Sequence, residues 1–288
     1  MRIAVMADIH SNHIALERCI EKAKELRAEK YIFLGDYIGE LSCPEVTIDL
    51  LDALKKEYPC TFIRGNKENY WIDHKKGLHS DWKWEKGTSG SGMLLYSYEH
   101  LTEKQIEAFE QMPISQKIQY PDLPPFVICH GSPFKVNQDL REDCDYIDEV
   151  TARLETELTI CGHTHMQGEF ERNGRRVINP GSVGVPLKSD GKTQFMILYD
   201  ESGEWKAEYI SLSYDVDRAI QEMDAEQLYE QAPGWYKVTK AVLNGKETSH
   251  ARVLSKAYEF CQKYEGKVDW RCIPEKYWQM ALDSLEIN

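Results

Sequence analysis

The sequence predicts an α/β fold with a helical C-terminal appendage. Three observations carry that expectation: apolar runs alternate with helical patterns in the N-terminal part, strand follows strand in the middle, and helical spacing takes over after Ser213. Residues 1–213 are therefore expected as one domain and residues 214–288 as helices packed on it, with no internal repeat or low-complexity tract.

The first apolar run, Ile3-Ala4-Val5-Met6-Ala7, reads as a buried strand and ends at Asp8-Ile9-His10. Ser11 and Asn12 supply capping side chains for a helix from about His13 to Glu29, where Leu16, Cys19, Ile20, Ala23 and Leu26 keep helical spacing. A second run, Tyr31-Ile32-Phe33-Leu34, ends at Gly35-Asp36, and Pro44 opens a helix with Leu50, Leu51 and Leu54 on its inner face. The third run, Cys60-Thr61-Phe62-Ile63, ends at Arg64-Gly65-Asn66. Successive strands thus deliver Asp8 with His10, then Asp36, then Asn66 at their C-terminal ends, where open α/β sheets place their ligands.

Residues 67–100 break the alternation. Tyr70, Trp71, Trp82 and Trp84 are interleaved with charges ahead of a Gly-Ser-rich run from Gly87 to Gly92, which reads as an inserted aromatic lid or loop. Its tryptophans suit either the insertion's own small core or a platform that stacks on a nucleobase. Helix resumes after Leu101, where Thr102 with Gln105 fits a capping box and Leu101 with Ile106 a hydrophobic staple, and it stops before Pro113.

Ile114 to Tyr120, Phe126 to Cys129 and Leu158 to Cys161 read as strands, the latter two ending at His130-Gly131 and Gly162-His163-Thr164-His165. Arg175 to Ile178 leads into the turn Asn179-Pro180-Gly181-Ser182, and Gln194 to Tyr199 with Trp205 to Leu212 forms a final hairpin. This half is expected as a second, largely antiparallel stack. Beyond it, Val216, Ile220, Met223 and Leu228 share one helix side, and Ala251 to Tyr264 forms a further helix past a break at Pro233-Gly234.

A net charge of -13 argues against a long contact with nucleic acid or an anionic membrane, both of which need clustered Lys and Arg. It leaves room for a small phosphate substrate, because a metal supplies local positive charge. No basic segment precedes a long apolar core, and no apolar run approaches the ~20 residues of a membrane helix, so a cytoplasmic protein is expected. The scattered cysteines, without a Cys-x-x-Cys, fit reduced thiols.

Asp8-x-His10 taken alone reads first as a turn aspartate beside an incidental histidine. In an extended backbone the two side chains also project from one side, where they converge on a cation. Recurrence decides for the cation: Asp8, His10, Asp36, Asn66, His130, His163 and His165 all stand at strand ends, and none is a thiolate. So many ligands exceed one tetrahedral ion, and two ions sharing a bridging carboxylate is the simpler assignment. Ions ~3.5–4 Å apart clamp an in-line attack at phosphorus, with a bridging hydroxide as nucleophile. The same nitrogen and oxygen donors suit manganese foremost, and also iron, zinc, cobalt or nickel.

In their order, Asp8-x-His10, Gly35-Asp36, Gly65-Asn66, His130-Gly131 and Gly162-His163-x-His165 resemble the calcineurin-like metallophosphoesterases. The closing Asn179-Pro180-Gly181-Ser182-Val183-Gly184 is similar to the bacterial branch that includes small phosphodiesterases and dinucleoside tetraphosphate hydrolases. The resemblance implies a β-sandwich of two mixed sheets flanked by helices, with two metals at its top edge. It further implies Asp8, His10 and His165 on one metal, Asn66, His130 and His163 on the other, and Asp36 between them.

One departure stands out. Many relatives have Gly-Asn-His-Glu, and their histidine contacts the phosphate or protonates the leaving group; here Lys67 follows Asn66. A lysine with a pKa of ~10.4 stabilises an anionic phosphoryl group but is a poor proton donor at neutral pH. His13 is the nearest spare imidazole for that task, unless it is a first-turn surface residue; His74, His79, His100 and His250 are expected at the surface.

The expected activity is hydrolysis of phosphodiesters or nucleoside polyphosphates. The alternatives are a phosphomonoesterase or protein phosphatase, or a binding scaffold like the retromer subunit of this fold. Tyr37-Ile38-Gly39-Glu40 after Asp36 lacks the Asp-Arg-Gly of the phosphoprotein enzymes. The charged C-terminal helices suit a solvated cover or a homodimer surface.

Overall fold

The computed structural model describes residues 1–287. Strand β1 (Arg2–Met6) leads into α1 (His13–Glu25), β2 (Lys30–Phe33), α2 (Pro44–Glu57) and β3 (Cys60–Phe62). The expected crossovers form: β1 pairs parallel with β2, and β2 with β3. Asn12 caps α1 by accepting the Ala15 N–H at 3.1 Å, which fixes where the chain turns from ligand loop to helix.

Within the expected 67–100 insertion, residues 67–75 and 92–99 are helical, and residues 76–91 between them form turns and loop. The segment after β3 contains α3 (Asn66–Lys75), α4 (Gly92–Glu99) and α5 (Glu103–Gln111), and the Thr102–Gln105 capping box is present. Trp71 is fully buried, and its indole N–H donates to the Leu94 carbonyl, so α3 and α4 pack as one unit. Few aliphatic residues mark α3, which is why its period was not legible.

Next come β4 (Ser115–Ile118), β5 (Phe126–Cys129), α6 (Ile147–Ala152), β6 (Leu158–Ile160), β7 (Gly168–Arg172), β8 (Arg175–Asn179), β9 (Thr193–Glu201) and β10 (Glu204–Leu212). The first sheet runs β10-β9-β1-β2-β3 and the second β4-β5-β6-β8-β7. The second sheet is mixed, not the largely antiparallel stack expected from strand following strand. β5, β6 and β8 are parallel, and only β4 and β7 at its edges run antiparallel. The connection through α6 supplies the crossover that parallel pairing demands, and the short β7 lets β8 return beside β6.

Alternation along β1 assigns its two faces. Ile3 and Val5 meet Phe126, Ile128, Ile160 and Ile178 of the second sheet, while Ala4 and Met6 join Ala15, Leu16 and Cys19 under α1. Two mixed sheets flanked by helices result, as the fold class required.

The C-terminal helices are α7 (Val216–Ala225), α8 (Leu228–Gln231), α9 (Pro233–Leu243), α10 (His250–Glu265) and α11 (Glu275–Ser284), with a 3-10 turn over Trp270–Cys272. Their core of Val238, Val242, Val253, Ala257 and Trp278 continues into Met93 and Tyr96 of α4 and Val185 of the body. The last residue of the expected appendage, Asn288, lies outside the described residues. Among the described residues no helix is long and apolar enough to cross a membrane.

Candidate metal centre

Each ligand loop begins where a strand stops. β1 ends at Met6, so Asp8 and His10 are not in extended backbone: their φ values are 55° and 51°, and Asp36, His163 and His165 are likewise left-handed at 52°, 67° and 57°. Non-glycine residues in that region carry strain on the order of 1–3 kcal/mol each. Neighbouring loops hold them there. The Asp8 and His10 N–H groups donate to the Gly35 and Asp36 carbonyls, and the Ser182 hydroxyl donates to the Asp8 carbonyl at 2.8 Å. Asn179 donates to the Gly162 carbonyl at 2.7 Å, so the Asn-Pro-Gly-Ser turn braces two ligand loops at once. Gly184 lies so close to β1's end that a Cβ there would meet the Ile9 carbonyl oxygen at 1.9 Å.

Six of the predicted ligand side chains converge. Asp36 directs one oxygen to His10 Nε2 at 3.8 Å and the other to His130 Nε2 at 3.5 Å. Asp8 Oδ1 lies 3.4 Å from His165 Nε2 and 3.8 Å from His130 Nε2. Nε2 of His10 and of His165 are 3.2 Å apart, and Asn66 Oδ1 is 3.0 Å from His130 Nε2. Asp8 with His10 and His165, and Asp8 with Asp36 and His130, form two sets of metal-spaced donors. His163 stands slightly apart: its backbone N–H donates to Asp8, its ring is 5.1 Å from that of His130, and its Nε2 faces Asp139 at 3.4 Å.

These groups fit cations better than they fit one another. Nδ1 of His130 donates to the Leu34 carbonyl at 2.6 Å and Nδ1 of His165 to the Val185 carbonyl at 2.9 Å, so both rings turn the Nε2 lone pair inward. Lone pairs of imidazole, carboxylate and amide thus meet in a buried space where backbone N–H groups of His163 and Lys67 satisfy only part of the carboxylates' capacity. Burial pulls the His130 imidazole down, but the Asp36 carboxylate, with Asp8 and the Leu34 carbonyl, outweighs it and pushes the ring up to about 10. A proton substitutes there for the positive charge the carboxylates demand.

The Gly65-Asn66-Lys67-Glu68 stretch shows a division of labour. The buried Glu68 carboxylate accepts the N–H groups of Asp36, Tyr37 and Gly65 at 2.7–2.9 Å, fixing the Asp36 loop to the start of α3. The Lys67 backbone N–H donates to Asp36 Oδ1 at 2.8 Å. Its ammonium pairs with Glu40 at 2.6 Å and lies 5.5 Å from the centre of the Trp235 ring, whose own N–H donates to Glu40. Burial opposes the lysine's charge, but Glu40 and Asp36 outweigh it and raise the ammonium's pKa. Glu40 and Trp235 escaped sequence reasoning; a carboxylate four residues past Asp36 was the available signal.

His13 is buried against Glu222 of α7 at 3.3 Å and does not line the cavity at the ligands. His250, expected at the surface, lines that cavity and lies 2.9 Å from the Thr239 hydroxyl, and burial pushes its imidazole down to about 3. His74 is also packed, stacked 4.0 Å from Trp84 with ring planes 8° apart. That contact occupies a face of Trp84, which lines only a neighbouring cavity, whereas Trp82 lines both. Arg64 packs locally, donating to the Glu110 carbonyl.

Residues 1–203 match the family described as the calcineurin-like phosphoesterase superfamily domain. The chain belongs to that superfamily, and it is a metal-dependent phosphoester hydrolase. A curated relative, an uncharacterized protein of Methanocaldococcus jannaschii, is 25% identical over 247 residues, covering 79% of this chain and 94% of that one. The fold is similar to that of a hypothetical protein of Pyrococcus horikoshii OT3, with a TM-score of 0.70, 23% identity and coverage of 85% of this chain and 99% of the other. It is also similar to a metallophosphoesterase of Sphaerobacter thermophilus, with a TM-score of 0.61, 20% identity and coverage of 78% and 94%.

Proposed function

We propose that the chain hydrolyses small phosphodiesters or nucleoside polyphosphates with a pair of divalent transition-metal ions, manganese foremost. Asp8, His10 and His165 would hold one ion, Asn66, His130 and His163 the other, and Asp36 would bridge them. The observation that carries this is the convergence of the donor atoms of Asp8, Asp36, His10, His130 and His165. When bound, such ions supply Lewis acidity to a phosphoryl oxygen and a water of lowered pKa.

Lys67 offers its remaining N–H donors to the phosphoryl oxygens, since Glu40 takes up only part of its capacity. The raised pKa of Lys67 makes it a weaker general acid than an imidazolium, so it assists a departing alkoxide less. Substrates whose leaving group departs as a weakly basic anion, such as a phosphate or an activated aryl oxide, suit this site better than simple alkyl monoesters.

The deciding experiment loads the purified chain with manganese and compares bis(p-nitrophenyl) phosphate, a dinucleoside tetraphosphate and p-nitrophenyl phosphate. Diester or polyphosphate kcat/KM exceeding that for the monoester by about tenfold is expected. A faster monoester, or no turnover of any of the substrates by metal-loaded protein, overturns the proposal.

A further inference from the structure

The metal-ligand cluster opens into a cavity of about 480 Å³, far more than a phosphate group fills. Sites of roughly 300–1,000 Å³ accommodate organic molecules. Its polar end is His10, Asp36, Asn66 and the two later histidines, and Glu40, Lys67, Asp139, Arg141 and His250 extend the polar lining; the rest of the wall is mainly apolar and aromatic. Tyr70, Trp82 and Leu94 come from the segment after β3, and Trp235, Leu254 and Trp270 come from the C-terminal helices. The latter group lies beyond residue 203, outside the part of the chain that matches the phosphoesterase family.

The aromatic wall is preset rather than collapsed. Trp235 is pinned through its N–H to Glu40 and packs 5.8 Å from Trp278, edge to face. Trp270 lies 5.4 Å from Trp82 in a T-shaped pair, yet is 42% exposed, which is unusual for so large an apolar side chain. Ser89 binds both Gly234 of α9 and Glu275 of α11, tying the two sources of the wall together.

We infer that the segment after β3 and the C-terminal helices together form a subsite for a planar aromatic ring carried by the phosphoester, with Trp270 as its exposed edge. The inference rests on the phosphoesterase reading for the placement of the phosphate. Aromatic walls bind rings through stacking and edge contacts, which an alkyl group does not reproduce.

Titration calorimetry on the full manganese-loaded chain tests it with four ligands: adenosine monophosphate, phenyl phosphate, ethyl phosphate and inorganic phosphate. The ring-bearing phosphates should bind at least about tenfold tighter than ethyl phosphate, Trp270→Ala should shrink that ratio about fivefold, and Trp270→Phe should keep it within about twofold. Both variants are checked by thermal melting for an intact fold. Equal binding of all the ligands, no binding of any, or a ratio untouched by Trp270→Ala overturns the subsite. Tighter adenosine monophosphate assigns a heterocyclic base, and tighter phenyl phosphate a simple aryl group. Ring-selective binding without turnover of bis(p-nitrophenyl) phosphate upholds the subsite and overturns the proposed activity; turnover without ring selectivity does the reverse.

Discussion

The Lys67 ammonium lies 2.6 Å from the Glu40 carboxylate, and both side chains are almost fully enclosed. Trp235 donates to the same carboxylate, while the Lys67 backbone holds Asp36. One line of contacts therefore runs from the C-terminal helices to Asp36 in the cluster of candidate ligands.

Removing one charge of this pair strands the other in a buried space. Breaking a buried ion pair from one side costs about 3–5 kcal/mol. Glu40→Gln should accordingly lower unfolding free energy by about 3 kcal/mol, and Glu40→Gln with Lys67→Met should recover at least about half of it. Urea unfolding of the full double-mutant cycle measures the coupling, and strictly additive losses would contradict it.

Under the proposed function Lys67 also faces substrate. Lys67→Ala should reduce kcat/KM for a diester by about 10- to 100-fold, the range for a lost electrostatic donor to a developing anion. Activity within error of the parent on every phosphoester would remove this role.

Metal binding should stabilise the fold, because the converging carboxylates and imidazoles are only partly compensated by backbone N–H groups and a proton. At a free metal concentration of ~100 Kd the gain is about 2.7 kcal/mol per site. Chelation should therefore lower the melting midpoint of the parent. Asp36→Asn should bind less manganese by elemental analysis, lose that response, and drop kcat/KM more than about 100-fold.

Glu68 tests the scaffold behind the ligands. A glutamine in its place turns a donor toward N–H groups that now meet carboxylate oxygens. An unsatisfied buried N–H costs about 1–3 kcal/mol, so Glu68→Gln should be destabilised by that amount and show weaker manganese affinity, read by calorimetry.

Gly184→Ala places a methyl group against the Ile9 carbonyl. A loss of about 1–3 kcal/mol in chemical denaturation is expected from such overpacking, together with weakened metal binding because the Asp8 loop must shift. Unchanged stability would mean that the loop yields freely.

The ligand loops were legible because each follows a short apolar strand and all but the Asp8–His10 loop carry a glycine next to a donor residue. Periodicity also located the main crossover helices. It missed β7, whose Gly168-Glu169-Phe170-Glu171-Arg172 is an edge strand with a single large apolar residue. It misread α3, where Trp71 supplies by volume what several aliphatic residues supply elsewhere. Glu40, Trp235 and His250 were out of reach for another reason: each matters through a partner distant in the chain, and helical spacing shows which face of a helix is apolar without showing what it covers.

The left-handed turns at Asp8, His10, Asp36, His163 and His165 narrow the vocabulary of this site further than coordination does. Aspartate, asparagine and histidine are the non-glycine residues that tolerate such a backbone best, and they are also the ones that bind hard or borderline metals. A substitution that keeps a donor atom but lengthens the side chain, such as Asp8→Glu, thus meets a conformational penalty as well as an altered reach. The alphabet of the turn and the alphabet of the metal are the same letters, so evolution can exchange the ion more readily than the residues that hold it.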